Sequence, residues 1–166
     1  SVGPESVAGK KKENGLNENF ARELLELHTL GVGGPYSQAD VTELAELLTG
    51  LTYSQAGVFG FRGEFAQPGA ETVLGQSYGG GTAALSDVHA ALDDLARHPA
   101  TARHLAQKMA VHFVSDRPDS ALVDAMQGRY LETGGHLGEM VHAMLSQPSA
   151  WAPEFANVKQ PIDFDG

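Results

Sequence analysis

Apolar residues follow a helical rhythm over most of this chain. Turning about 100° per residue from Phe20, Leu16, Phe20, Leu24, Leu27 and Leu30 form one stripe, widened by Ala21, Leu25 and His28. Asn17 stands where an N-cap belongs and Gly31 where a helix stops. An apolar arc wider than half the circumference predicts a helix packed on more than one side. Glu18, Arg22, Glu26 and Thr29 are left pointing away, with Glu18 to Arg22 and Arg22 to Glu26 at the i,i+4 spacing of surface ion pairs. The tight connection Gly31-Val32-Gly33-Gly34-Pro35-Tyr36 leads to a second helix. Ser37 caps it, Val41, Leu44, Ala45 and Leu48 form its buried stripe, and Gly50 ends it after about Thr49. Two helices joined so closely predict an antiparallel hairpin.

Between residues 51 and 81 the rhythm changes. Val58-Phe59-Gly60-Phe61-Arg62 and Glu71-Thr72-Val73-Leu74 are short β-like runs among Gly, Gln and Ser, which predict a small hairpin or a long ordered excursion. Helical periodicity then returns over residues 86–97, over 99–114 with Pro99 in the first turn, over 118–134 up to Gly134-Gly135, and over 137–147 before Pro148. The expected fold class is mainly α, about six helices in a bundle-like stack with one small β excursion near 51–81. Residues 1–15 read as a linker or loop, 16–155 as a single helical domain and 156–166 as an irregular tail.

Composition narrows the chemistry. A chain of 166 residues is long enough to bury a core without staples, and its lack of Cys excludes disulfides, thiolate metal sites and cysteine nucleophiles. A net charge of −10 repels phosphate backbones, so nucleic acid is not an expected partner. No apolar run approaches the roughly 20 residues of a membrane span. Lys10, Lys11 and Lys12 read as a solvated charge run.

Several motifs invite a functional reading. Gly75-Gln76-Ser77-Tyr78-Gly79 matches the G-x-S-x-G nucleophile elbow, but that elbow needs a parallel sheet and an oxyanion hole, so a Gly-rich turn is expected instead. Gly79-Gly80-Gly81-Thr82 lacks the Lys of a phosphate-binding loop. Glu139 and His142, with His136 a turn earlier, have the spacing of half a di-iron site; no second Glu-x-x-His accompanies them, and they lie opposite Leu137, Met140, Val141 and Met144. His104, Lys108 and His112 recur every four residues beside Leu105 and opposite Ala106, Ala110 and Val114, with Thr101 among them. They predict a cationic stripe that is either a partly buried seam paired with carboxylates or an anion site. On the first helix Glu23 and His28 fall on opposite edges of the apolar arc, about 140° apart, too far round to share one metal. Glu23 is expected to be held at a packed edge, with His104 and Lys108 as one partner, and Glu23→Ala to cost about 1–3 kcal/mol.

The run Leu16-Asn17-Glu18-Asn19-Phe20-Ala21-Arg22-Glu23-Leu24-Leu25-Glu26-Leu27-His28-Thr29-Leu30-Gly31-Val32, followed by Tyr36-Ser37-Gln38-Ala39-Asp40-Val41-Thr42-Glu43, resembles the signature of a large bacterial family, domain of unknown function 1800. Further matches are Leu48-Thr49-Gly50, Thr72-Val73-Leu74-Gly75, His98-Pro99-Ala100-Thr101-Ala102-Arg103 with Lys108 and His112-Phe113-Val114, Gly134-Gly135, and Lys159-Gln160-Pro161-Ile162-Asp163-Phe164. Ser1-Val2-Gly3-Pro4 fits a segment just ahead of the first helix. Leu51 stands where the family often has Trp, and Ala66 where it often has His.

The resemblance implies a longer protein, with helices before Ser1 and after Phe164, of which this chain is similar to the C-terminal portion. It also implies export to the periplasm or cell surface of a bacterium. The family carries no reaction to transfer, and no cofactor is expected. Two readings follow. In the first, the chain is a non-enzymatic binding or assembly module whose partners are the remainder of its own longer chain or another protein. In the second, it is a hydrolase-like or metal-dependent enzyme. Its site would combine Asn17, Asn19, Arg22, Glu23, Glu26 and His28 on the helix of residues 17–31 with His98, His104, Lys108 and His112 on the helix of residues 98–114, completed by sequence outside this chain.

Overall fold

The computed structural model describes residues 1–11, 16–53 and 56–152. It is mainly α, 55% helical, with two small antiparallel two-stranded sheets among the described residues. The chain divides into two compact units, the first from Ser1 to Leu95 and the second from Ala96 onward. The Lys159-Gln160-Pro161-Ile162-Asp163-Phe164 motif, the 156–166 tail and Lys12 lie outside the described residues.

In the first unit, α1 (Glu18–Glu23) begins where expected: the Asn17 side chain accepts from the Phe20 amide at 3.3 Å. The helix then widens into a π turn, Leu24–His28. The Thr29 hydroxyl donates to the Leu24 carbonyl at 2.8 Å, and the Gly31 amide reaches back to the Leu25 carbonyl at 3.0 Å. A π turn moves every later residue out of the α-helical phase. For Leu27 and Thr29 this corrects the predicted stripe; Phe20, ahead of the turn, is exposed without its help, and Leu30 is buried as expected. Ala21 and Leu25 are fully buried, whereas Phe20 is 52% and Leu27 49% exposed, and Thr29, expected to point away, is buried.

The polar side of α1 binds it to α2 (Gln38–Leu47). Glu18 accepts from the Thr42 hydroxyl at 2.8 Å and from Gln38 Nε2 at 3.0 Å, and the Tyr36 hydroxyl donates to Glu26 at 3.0 Å. Ser37 and Asp40 form a reciprocal capping box at the start of α2. Gly50, beyond its end, has φ +88°, and a side chain there would strike the Phe61 ring at 2.8 Å.

Where one β excursion was expected there are two hairpins. β1 (Leu51–Tyr53) pairs with β2 (Phe59–Phe61), and β3 (Ala70–Val73) with β4 (Gln76–Gly79). The second hairpin turns through Leu74 and Gly75, both at positive φ (53° and 78°), the two-residue geometry that matches strand twist. Because the two-residue turn makes Val73–Gln76 and Glu71–Tyr78 the hydrogen-bonded pairs of the ladder, the amides of Thr72 and Leu74 face away from β4. They donate to α2: Thr72 to Glu43 at 2.7 Å and Leu74 to Asp40 at 2.7 Å. Described residues of the first segment, expected to be a linker, bond to the loop after β2. Gly3 donates to the Phe65 carbonyl at 2.8 Å and Ala8 to that of Glu64 at 3.0 Å. α3 (Leu85–Arg97) buries Val88, Ala91 and Leu95.

The second unit contains α4 (Pro99–Phe113), α5 (Ser120–Glu132) and α6 (Leu137–Leu145), followed by a 3₁₀ turn, Pro148–Trp151. Their boundaries fall within two residues of those expected from Pro99, Pro118, Gly134-Gly135 and Pro148; the structure adds Asp119 and His136 as the caps of α5 and α6. The core joins Ala102, Ala106 and Ala110 of α4 to Leu122, Val123, Met126 and Tyr130 of α5 and Met140 and Met144 of α6. Small residues on α4 let the neighbouring helix approach closely, and the Tyr130 hydroxyl is satisfied by the Ala96 carbonyl at 2.9 Å.

Candidate functional site

The residues singled out from the sequence divide between the units: Asn17, Asn19, Arg22, Glu23, Glu26 and His28 belong to the first, His98, His104, Lys108 and His112 to the second. In the first unit Arg22 and Glu26 form an ion pair at 3.7 Å, which the Arg22 bond to Gln38 (2.5 Å) and the Tyr36 bond to Glu26 extend. Burial and the Glu26 carboxylate raise the Tyr36 phenol above its usual range. Asn17 serves as the N-cap, and Asn19 and His28 are exposed. Glu23 is exposed as well, which corrects its placement at a packed edge. The buried face is centred on Ala21 and Leu25, so Glu23 falls outside it.

In the second unit His98 is the N-cap of α4, its Nδ1 accepting from the Ala100 amide at 3.1 Å. His104, Lys108 and His112 lie on one side of α4, as the four-residue spacing predicts, and Ala102, Ala106 and Ala110 are buried on the other. Thr101, expected within the stripe, is buried. His104, Lys108 and His112 border an open, shallow surface of α4 that also includes Leu105, Met109, Val111 and Phe113. This surface is largely apolar, and Phe113 at its end is 63% exposed and stacked edge-on against His112 at 4.6 Å.

The other sequence motifs are structural. Ser77 is an exposed residue of β4, and Gly75 belongs to the hairpin turn. Glu139 accepts from Arg129 at 2.5 and 2.9 Å, an arrangement that holds its carboxyl below the usual range, and His136 caps α6. Among the described residues, no three His, Asp or Glu side chains are placed to hold a metal ion. No described helix is long and apolar enough to cross a membrane.

One titratable residue escaped the sequence reading. Glu71 is 5% exposed, on the inward side of β3 with Val73. Burial first, then the negative charges of Glu46 and Glu43, push its carboxyl up to about 7. Burial and Glu43 likewise raise Glu46. The adjoining cavity, between Glu71, Asp87, Leu47, Phe61 and Ala66, offers about 10 Å³, room for no more than a water. A substrate does not fit there. The signal was available in the alternation of Glu71-Thr72-Val73, where placing Val73 in the core places Glu71 beside it.

The model of a protein family described as "Protein of unknown function (DUF1800)" matches residues 1–165, essentially the whole chain. No curated protein and no solved structure matches it.

Proposed function

The chain belongs to the DUF1800 family, and from that premise we propose that it is a non-enzymatic binding or assembly module of an exported bacterial protein. The observation that carries this reading is the outward side of α4. An open, largely apolar surface built from Leu105, Met109 and Val111, with Phe113 exposed at its end, has the apolar centre and polar border of a protein contact. Lys108, His104 and His112 at the border favour a partner bearing carboxylates around an apolar anchor. That partner is the remainder of a longer chain of which this is the C-terminal part, or a separate exported protein.

Site-specific photocrosslinking in the producing cell tests the proposal. With a photoreactive phenylalanine analogue at position 113, the expected result is a covalent adduct to a defined polypeptide segment, identified by mass spectrometry and recovered from the periplasmic or surface fraction. The adduct should be reduced at least tenfold when Val111→Asp is added. Labelling at position 113 no greater than at exposed Ser120 would overturn the α4 assignment, and an adduct confined to the cytoplasm would overturn export.

A further inference from the structure

The inward side of β3 carries a group that neither helix packing nor the α4 surface uses. Glu71 occupies the same face of the strand as Val73 and is buried, yet the charges that act on it most strongly, Glu46, Glu43 and Asp87, are all negative. The elements around it supply acids. From α2 come Asp40, Glu43 and Glu46; Asp40 and Glu43 accept from the backbone amides of Leu74 and Thr72, which follow Glu71 along the hairpin. From the start of α3 comes Asp87, tied to the Ala84 amide at 3.2 Å. From β4 comes Tyr78, directly opposite Glu71, whose hydroxyl donates to Asp94 at 2.9 Å. In the loop before β3, Gln67 is neutral, while Arg62 and Glu64 pair with each other at the surface.

We propose that Glu71 makes the β3–β4 hairpin a pH-sensitive latch on α2, seated when the carboxyl is protonated and loosened when it ionises. A protonated carboxyl is tolerable on a buried strand face. An ionised one must shed its hydration beside three other carboxylates, with space for one water at most. The bonds from Asp40 and Glu43 keep those acids against the strand, so the repulsion is relieved by moving Glu71, and the hairpin with it, towards solvent.

The sign follows from linkage. Glu71 retains its proton up to about pH 7 in the seated hairpin, against an ordinary value of 4.5 once exposed. The seated form is therefore favoured most below pH 4.5, loses that preference as pH rises to about 7, and changes no further above it. The opening constant should rise on the order of a hundredfold across this window, since each unit of separation corresponds to a factor of ten.

Hydrogen–deuterium exchange of the 70–80 segment in the complete 166-residue chain, at pH 5 and pH 8 and corrected for intrinsic exchange, reads this constant directly. The expected result is a rise on the order of a hundredfold in the wild type and an equal constant at both pH values in Glu71→Gln. A wild-type constant that does not change, or an equal rise in Glu71→Gln, overturns the proposal. Glu46→Gln gives a second measurement that leaves Glu71 in place. Removing one negative neighbour should move the midpoint of opening to lower pH, and an unmoved midpoint also overturns the proposal.

Discussion

The core of the second unit and the β3–β4 region of the first are held together by opposite means. Between α4, α5 and α6, alanines meet leucine, valine and methionine side chains, and the polar atom of Tyr130 finds a backbone acceptor. Around β3, by contrast, two carboxylates of α2 accept from amides of the hairpin while a further acid, Glu71, is buried on its inner face. Apolar burial is insensitive to protons, so packing governs the stability of the helical core. The hairpin region gains directional hydrogen bonds, and its stability is tied to the charge state of those acids.

The largest expected effect tests the apolar half of this comparison. Leu122→Ala should destabilise by about 2–5 kcal/mol in urea unfolding followed by circular dichroism, because it leaves a cavity in a fully packed site. The loss should be the same at pH 5 and pH 8, and a strongly pH-dependent loss would break the contrast. Asp40→Ala comes next, at about 2 kcal/mol, since it removes both the capping box and the acceptor for Leu74. Burial works to raise the Asp40 carboxyl, but hydrogen bonds from Ser37 and Leu74 outweigh it and hold the group below its ordinary 3.8. Its stabilisation is therefore present above pH 3.8 and lost as pH falls through the lower folded value, the reverse of Glu71. An acid limb of the unfolding profile that survives in Asp40→Ala would assign that dependence elsewhere. Smallest is Glu23→Ala, expected to change stability by no more than about 0.5 kcal/mol now that Glu23 is exposed. A larger loss would restore the packed edge that the periodicity predicts.

Legibility in the sequence also differs between the two regions. Pro99, Ser37 and Gly134-Gly135 act through local stereochemistry, so the ends of α2, α4, α5 and α6 could be placed from residue type alone. The stripe of the first helix failed at Leu27 and Thr29 because its wheel assumes a constant turn. The π turn at Leu24–His28 depends on the Thr29 hydroxyl bonding to a carbonyl five residues back, which periodicity does not register. β1 and β4 are only three and four residues long and owe their conformation to partners across the chain, so propensity was a weak guide. Of the candidate residues, the four-residue recurrence of His104, Lys108 and His112 did place them on one side of α4. Asn17 is the cap expected from the sequence, and His98 is a cap as well, a role its position before Pro99 already allowed. Glu71 went unread because its surroundings are assembled from α2 and α3, far along the chain.

The grip of Asp40 and Glu43 on β3 has a consequence for how the protein behaves when crowded. A strand with unsatisfied outward amides is a template on which another chain can add itself, the first step towards an extended intermolecular sheet. Here the two amides that would recruit such a strand are already occupied by side chains, and those side chains are acids that repel an approaching copy of this strongly negative chain. The β3 edge of the hairpin is thereby shielded from strand addition by the same helix on which it rests.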